Sequence, residues 1–261
     1  MEMIGIDVGG SGIKAAVVET TTGELRTPRV RVETPHPAVP KAMIKATAGI
    51  VAELAPELGA GIGFPAVILG GVVKTAANID SSWIGVDADS AFSQALGRAL
   101  VVGNDADAAG LAEMRFGAGR GQAGTVLMLT LGTGIGSALF RDGVLVPNTE
   151  LGHLQLRGKD AERRAAASIK VSKGLSWHAW SKRLSEYVDL IDGLLWPDLV
   201  IIGGGISKES DKFIHDLPAR VKCVPAALQN QAGIVGAAML AAEAAQLTAP
   251  QTSPHASAGA A

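Results

Sequence analysis

The chain has 261 residues, of which 48% are hydrophobic and 4% aromatic, so it can bury a core as one large domain or as two lobes. Its net charge of −2 at pH 7 gives no overall field that would select a nucleic acid or another polyanion. The single cysteine, Cys223, excludes a disulfide framework and a cysteine-based zinc cluster within one chain, and it fits a reducing cytoplasm.

A strand pattern begins at the N-terminus, and a glycine-rich turn, Asp7–Lys14 (DVGGSGIK), joins it to a second apolar run. There is no basic and apolar leader and no apolar stretch of about 18 residues, so we expect neither secretion nor membrane insertion. The segment Gly10–Ala15 fits the dinucleotide fingerprint G-x-G-x-x-A formally. That motif must open a helix, whereas a β-branched strand follows here, so the dinucleotide interpretation fails.

A second glycine-rich turn of the same design, Thr130–Ser137 (TLGTGIGS), lies about 120 residues after the first. Each turn stands between two apolar runs, which is typical of a β-hairpin. Glycines at the tip permit positive φ and let backbone N–H groups approach an anion. The pair therefore predicts a duplicated phosphate clamp between two lobes, although a single turn of this kind could be purely structural.

Between the two turns the sequence alternates strands and helices. We predict a helix over 42–58, a strand over 60–64, a short strand near 71–74, a strand over 99–102 and a helix over 106–116. After the second turn we predict a polar segment of loop and helix over 148–173, a helix over 177–195, a strand over 199–202, a helix from about 207 and a closing helix over 233–245.

This α/β pattern predicts two lobes of similar topology. The small lobe comprises residues 1–104, completed by a C-terminal helix over 233–246, and the large lobe comprises residues 105–232. Residues 247–261 are poor in large apolar side chains and rich in small and polar ones, so we predict a disordered tail there.

Asn104 and Asp105 are the best candidates for chemistry because they fall between a predicted strand and a predicted helix. A carboxylate at a helix N-terminus is kept ionised by the helix dipole and can accept a hydroxyl proton as a general base. The alternative is a simple helix cap, since Asp and Asn are favoured there. Asp107 in the first turn would complement the dipole or act as an outer ligand of a metal.

Other polar residues could bind a sugar. Glu150, His153 and Glu162 fall in a segment with few apolar residues, and Asn78 lies in a loop after a predicted strand. Carboxylates, imidazole and amide groups can bind sugar hydroxyls, whereas surface charge or an ordinary turn would explain the same residues without function.

Basic residues concentrate between positions 157 and 183, a segment that contains eight Lys and Arg residues and only two acidic residues. An anionic partner could dock on this segment, and a solvated helical face is an equal alternative.

Five segments together resemble the ROK family of sugar kinases in order and spacing over nearly the whole chain. They are Asp7–Lys14, Asn104–Asp107, Leu131–Gly136, Glu150–His153 and Ile201–Gly205. Within that family the segments 104–113 (NDADAAGLAE), 146–154 (VPNTELGHL), 158–162 and 174–177 are most similar to the bacterial polyphosphate glucokinases.

The resemblance implies a duplicated actin/hexokinase-like (ribonuclease H-like) α/β fold with an active-site cleft between two lobes. It implies phosphorylation of the 6-hydroxyl of glucose by polyphosphate, ATP or both, with Asp105 as the base. It also implies Mg²⁺ near Asp7, held through water, and a cytoplasmic homodimer without nucleic-acid or membrane partners. The sugar would be held by Asn78, Asn104, Glu150, His153 and Glu162. Donor phosphates would be bound by Gly9, Gly10, Ser11, Gly12, Lys14, Gly132, Thr133 and Gly134, with Gly203, Gly204 and Gly205 on the nucleotide side.

Most family members carry three cysteines after the Glu-x-Gly-His segment, and those cysteines bind zinc together with the histidine. Here Gly158–Glu162 takes their place, so no structural zinc is expected and His153 is free for the sugar. We predict that Arg163, Arg164, Lys170 and Lys173 belong to a track for polyphosphate. Two further functions stay open: an ATP-only glucokinase or glucomannokinase, and a catalytically inactive sugar-sensing protein.

Overall fold

A computed structural model describes residues 1–52, 54–55, 57–218 and 220–248. The strands are β1 Glu2–Gly9, β2 Gly12–Glu19, β3 Glu24–Leu25, β4 Val30–Val32, β5 Ala60–Phe64, β6 Ile68–Leu69, β7 Val72–Val73, β8 Leu100–Asn104, β9 Thr125–Leu131, β10 Ile135–Arg141, β11 Val144–Val146, β12 Gln155–Leu156, β13 Lys159–Asp160, β14 Leu199–Gly203 and β15 Cys223–Pro225. The α-helices are α1 Pro40–Val51, α2 Ala88–Leu96, α3 Asp105–Phe116, α4 Glu162–Ala165, α5 Ala167–Ser172, α6 Trp177–Leu195 and α7 Ala232–Thr248.

Two mixed sheets form the framework. The first has the order β3-β2-β1-β5-β8, with β4 also paired to β2, and the second has the order β11-β10-β9-β14-β15. In both sheets an antiparallel hairpin is followed by a parallel neighbour, since β1 pairs with β5 and β9 pairs with β14. The two glycine-rich turns are the tips of these corresponding hairpins, as the sequence predicts.

Helices α3 and α7 lie between the two sheets. One buried cluster contains Met3 and Val18 of the first sheet, Val126 of the second, and side chains of both helices. The outer face of the first sheet packs on α1 and α2, and the outer face of the second packs on α6. Each sheet is therefore covered on both faces, as parallel strands require.

Several predicted elements have different bounds. The helix predicted over 42–58 is α1, which begins at Pro40 because proline is favoured in the first turn of a helix, and it ends at Val51. The helix predicted from about 207 is a 3₁₀ helix over Gly205–Lys212.

Helix α7 continues to Thr248, two residues into the predicted tail, and residues 249–261 lie outside the described part of the chain. The division into lobes 1–104 and 105–232 stays a prediction. No described helix combines the length and the apolar character needed to span a bilayer.

Candidate active site

The tips of the two glycine-rich hairpins approach each other. A Cβ atom placed on Gly10 would lie 3.2 Å from Oγ1 of Thr133, so these two residues are in contact across the gap. In the second tip, the N–H of Gly132 donates to the carbonyl oxygen of Gly134 at 3.0 Å, which closes the turn. The two tips therefore open onto a shared space.

That space is a cavity of about 250 Å³, here called the first cavity. Its lining comes from both hairpins, from the β8–α3 junction and from the segment after β11. The predicted site residues that line it are Gly9, Gly10, Ser11, Lys14, Asn78, Asn104, Asp105, Gly132, Thr133, Gly134, Glu150, His153, Glu162 and Gly204.

A second cavity of about 130 Å³ adjoins the first, because Lys14, Asp105 and Gly204 line both. Asp7 and Gly205 line only the second cavity. Gly12 and Gly203, although predicted as donor-binding residues, line neither cavity.

Asn104 caps helix α3, and this leaves Asp105 free of that role. The Asn104 side-chain oxygen accepts hydrogen bonds from the N–H groups of Ala106 and Asp107 at 2.9 and 3.0 Å, and its amide donates to the carbonyl of Ala66 at 3.1 Å. The cap alternative is thus confirmed for Asn104, and the role of Asp105 stays a prediction. Its carboxylate accepts one backbone N–H, from Ala106 at 2.8 Å, and faces both cavities.

The Asp105 carboxyl group has an unusual acidity. Burial raises its pKa to about 7, and the negative charges of Asp7 and Glu150 add to the rise. A general base is most effective when its pKa lies near the working pH. Asp105 therefore has the placement and the acidity of a proton acceptor at neutral pH.

Asp7 and Lys14 face each other across β1 and β2, and Nζ of Lys14 lies 2.8 Å from Oδ2 of Asp7. The start of α7 packs on this pair so closely that a Cβ atom on Gly233 would lie 2.8 Å from the Asp7 carboxyl carbon. Glycine at position 233 thus keeps space beside the carboxylate.

Predicted sugar-binding groups form a cluster in the lining of the first cavity. Nε2 of His153 lies 3.6 Å from Oε2 of Glu150, and Nδ1 of His153 lies 3.3 Å from Oδ2 of Asp160. Burial raises the pKa of Glu150, whereas hydrogen bonds from Gln155 and His153 hold the pKa of Asp160 below its usual range. A Cβ atom on Gly134 would lie 2.3 Å from Oε2 of Glu162, so this cluster abuts the second glycine turn.

The comparisons with known proteins agree on one family. Residues 3–168 match the model of the ROK family. The chain is 50% identical over 236 residues to a polyphosphate glucokinase of Mycobacterium tuberculosis, which covers 90% of this chain and 89% of the relative. The chain belongs to the ROK family.

Solved structures of ROK proteins share the fold. The crystal structure of an inorganic polyphosphate/ATP-glucomannokinase from Arthrobacter sp. strain KM has a TM-score of 0.91 and 50% identity, covering 93% of this chain and 99% of that one. A ROK family glucokinase from Streptomyces griseus, solved with glucose and AMPPNP, has a TM-score of 0.82 at 24% identity, covering 93% and 100%. Because its identity to this chain is only 24%, the second structure supports the fold alone.

The four basic residues predicted to form a track for polyphosphate lie outside both cavities. Arg164 pairs with Glu186 at 3.1 Å, and Nζ of Lys170 lies 4.1 Å above the ring of Trp177. Helix α5 is nevertheless fastened to the second glycine turn, because Ser168 donates from its N–H and its hydroxyl to the carbonyls of Gly132 and Thr133. The track of Arg163, Arg164, Lys170 and Lys173 stays a prediction.

Sequence reasoning missed two residues at this ROK site. Asp160 bonds His153, and only its place in the segment that replaces the cysteines hinted at a role. Arg31 of β4 donates to the carbonyl of Ser11 at 3.0 Å and lies directly opposite Lys14 in the sheet. No motif marks Arg31, because its strand is three residues long and nothing in the sequence connects it to the glycine turn.

His153, Asp160 and Glu162 each bring one ligand atom within 4.8 Å of the others. Glu162 and His153 also line the first cavity, so the cluster fits a hydroxyl-binding surface as well as a cation. The absence of a structural zinc stays a prediction.

Proposed function

We propose that this chain is a sugar kinase that transfers a phosphoryl group from inorganic polyphosphate or ATP to the 6-hydroxyl of glucose. The observation that carries the proposal is the position of Asp105, with a pKa raised to about 7, in the cavity where the two glycine tips meet. The 50% identity to a polyphosphate glucokinase and to a polyphosphate/ATP-glucomannokinase supports the choice of substrates.

In this proposal Asp105 accepts the proton of the glucose 6-hydroxyl while that oxygen attacks the terminal phosphorus of the donor. Phosphoryl transfer depends mainly on positioning and on neutralising charge, so the rest of the site serves those ends. The remaining hydroxyls of glucose bond Glu150, His153, Glu162 and Asn78, and Asn104 acts chiefly by fixing the turn that carries Asp105. Backbone N–H groups of the two glycine tips hold the donor phosphates.

Mg²⁺ is the cofactor that this chemistry requires, since it neutralises the charge that develops on the phosphate oxygens. The residues fit it: Asp7 supplies a carboxylate, the ligand type Mg²⁺ prefers, in a cavity that it shares with Asp105. Asp7 would hold the ion, through water as the family resemblance implies. Lys14 keeps that carboxylate in place through the 2.8 Å contact.

The cleft between two lobes, a homodimer and a cytoplasmic location are proposals that follow from the family. The layered arrangement of the two sheets, with the cavity where their hairpin tips meet, supports the first of these. Sedimentation at several protein concentrations would measure the oligomeric state.

Mannose is a second acceptor to consider, because the structural relative at 50% identity is named a glucomannokinase. An ATP-only kinase and a sugar sensor without turnover are the competing functions. A raised pKa on a carboxyl group in the cavity favours a kinase over a sensor, because binding alone needs no proton acceptor.

A panel of donors and acceptors with the purified protein tests the proposal. We expect glucose 6-phosphate with long-chain polyphosphate and with ATP, in the presence of Mg²⁺. Product with ATP alone would restrict the function to an ATP-dependent kinase. A protein that binds glucose but forms no product with either donor would contradict the kinase proposal.

A further inference from the structure

The position of the sugar limits where the donor chain can extend if the proposed function is correct. The side chains proposed to hold glucose line the first cavity and not the second: Asn78, Glu150, His153 and Glu162. In phosphoryl transfer the attacking and leaving oxygens lie roughly in line on opposite sides of the phosphorus. The glycine tips that hold the terminal phosphates of the donor also line the first cavity, whereas Lys14, Asp105 and Gly204 line both cavities, so the second cavity is the adjoining space into which the rest of the donor can extend away from the sugar.

Beyond the second cavity lies a groove of about 410 Å³, here called the outer groove. The two spaces adjoin, because Gln229 and Asn230 line both. Arg29 and Lys208 stand in the lining of the outer groove, and its remaining residues are uncharged. The groove thus offers two cations and side-chain amides without an opposing carboxylate.

The first sheet places basic side chains beside the reaction centre and extends them to β4, the strand that Arg29 precedes. Asp7 lies opposite Lys14, and Lys14 lies opposite Arg31, so the three side chains share one face of the sheet. Arg29 immediately precedes β4 and lines the outer groove. Basic side chains therefore lie beside the reaction centre, in the neighbouring strand and in the lining of the outer groove.

The cations of the outer groove are available to a ligand. Among the residues that the structure describes, neither Arg29 nor Lys208 takes part in an ion pair, and both side chains are exposed. Two members of the predicted track differ in this respect, because Arg164 already pairs with Glu186 and Lys170 lies over Trp177.

We propose that the outer groove binds the distal part of an inorganic polyphosphate chain, with Arg29 and Lys208 as the residues that contact its phosphates. Polyphosphate carries a negative charge on every phosphate, whereas ATP ends in a neutral nucleoside after its third phosphate. Cations that lie beyond the second cavity therefore favour polyphosphate over ATP. Each exposed contact of this kind contributes up to about fivefold in affinity.

The test compares two double variants of the full chain. Arg29→Gln with Lys208→Gln removes the charges of the outer groove, and Arg163→Gln with Lys173→Gln removes two exposed charges of the predicted track. For each protein, KM is measured for long-chain polyphosphate and for ATP at several salt concentrations, with glucose saturating.

We expect the outer-groove variant to raise KM for long polyphosphate about tenfold and to change KM for ATP less than twofold. The dependence of log KM on log salt should become shallower by about one to two, as expected when two cations that displace counterions are removed. The track variant tests the competing prediction: it should raise KM for polyphosphate by less than the outer-groove variant does, and it should leave KM for ATP within about twofold of the wild type. Unchanged glucose KM would show that the first cavity is intact.

Two results would overturn the inference while leaving the proposed function standing. One is a tenfold loss for polyphosphate in the track variant with none in the outer-groove variant. The other is an equal loss for ATP and polyphosphate in the outer-groove variant, which would assign the groove to the nucleotide. Failure of the wild-type protein to use polyphosphate at all would instead refute the polyphosphate part of the proposed function.

Discussion

The carboxyl group of Asp105 lines both cavities, with Asp7 in the second and Glu150 in the first, and burial together with these two negative charges raises its pKa to about 7. A base with this pKa is protonated below neutral pH and can no longer accept the hydroxyl proton. We therefore expect kcat/KM for glucose to fall about tenfold per pH unit below pH 7. Initial rates between pH 5 and pH 9, with the donor saturating, measure this fall in kcat/KM.

Asp105→Asn keeps the size of the side chain and removes the base. It should lower kcat by roughly 10²- to 10⁴-fold, and the activity that is left should no longer fall as the pH drops below 7. A wild-type profile that stays level from pH 8 to pH 5 would show that Asp105 is not the group whose ionisation controls the rate.

Asp107, in the same turn, affects stability. Burial raises its pKa to about 6, although the N–H of Asn148 donates to it at 2.7 Å, and its other oxygen has no partner among the described residues. Because the folded pKa exceeds the ordinary value of 3.8, its contribution to stability is complete below pH 3.8 and is lost as the pH rises through 6. Most of that loss falls between these two values.

Asp107→Asn cannot ionise, so its stability relative to the wild type should increase by about 1 kcal/mol between pH 5 and pH 8. Urea unfolding at the two pH values, followed by circular dichroism, provides the comparison. A difference independent of pH would mean that Asp107 ionises in the folded protein as easily as in the unfolded chain.

These residues also mark how far sequence reasoning reaches. The strand–Asn-Asp–helix pattern predicted the position of Asp105, because local capping preferences determine where α3 begins. The ionisation of Asp105 could not be predicted, since it depends on Asp7 and Glu150, which lie far away in sequence. Arg31 and Asp160 were missed for the same reason: their partners are supplied by tertiary structure.

Helix α7 packs against strands and a helix at unusually short distances, which only glycine allows. A Cβ atom on Gly61 of β5 would lie 1.9 Å from the carbonyl oxygen of Ala237, and one on Gly236 would lie 1.6 Å from that of Ala108. These obstacles are backbone atoms, so no side-chain rotation can relieve the clash. The helix must move away from its neighbours if either glycine is replaced.

Gly61→Ala should therefore destabilise the protein by about 3 kcal/mol, as overpacking of a rigid contact does. Gly49→Ala is the matched control, because Gly49 lies inside α1 with nothing within 4 Å of its Cβ position. That substitution should stabilise the protein by roughly 0.5 to 1 kcal/mol. Guanidinium unfolding distinguishes the two, and equal effects at both positions would contradict the close packing of α7.

The ends of a helix could be predicted where its apolar face or a capping residue determines them. The predicted helix over 177–195 coincides with α6, whose Ser176 caps the first turn by accepting the N–H of Ala179. The closing helix was placed correctly but ends later than predicted, because Gln246 and Leu247 are good helix formers and continue the helix without needing to be buried. The role of that helix between the two sheets depends on α3 and could not be inferred from its own residues.

The whole molecule joins its two sheets through α3 and α7, and α3 carries Asp105 at its first residue. The residues proposed to bind glucose come from segments on both sides of α3 in the chain, since Asn78 follows β7 and Glu150 follows β11. Binding of the sugar should thus stabilise the folded chain as a unit. At a glucose concentration of 100 times Kd, the expected gain in unfolding free energy is about 2.7 kcal/mol.

This gain separates binding from turnover. Asp105→Ala removes the proton acceptor while leaving Glu150, His153, Glu162 and Asn78 in the first cavity. We expect that variant to lose glucose phosphorylation but to keep a glucose-dependent rise in Tm within about a degree of the wild-type rise, because a base contributes to the transition state more than to ground-state binding. Thermal unfolding measures this rise in Tm, with glucose as the ligand and a non-substrate sugar as the control. Loss of both effects together would mean that Asp105 holds the sugar, and a wild-type protein with the stabilisation but no turnover would point to a sensor.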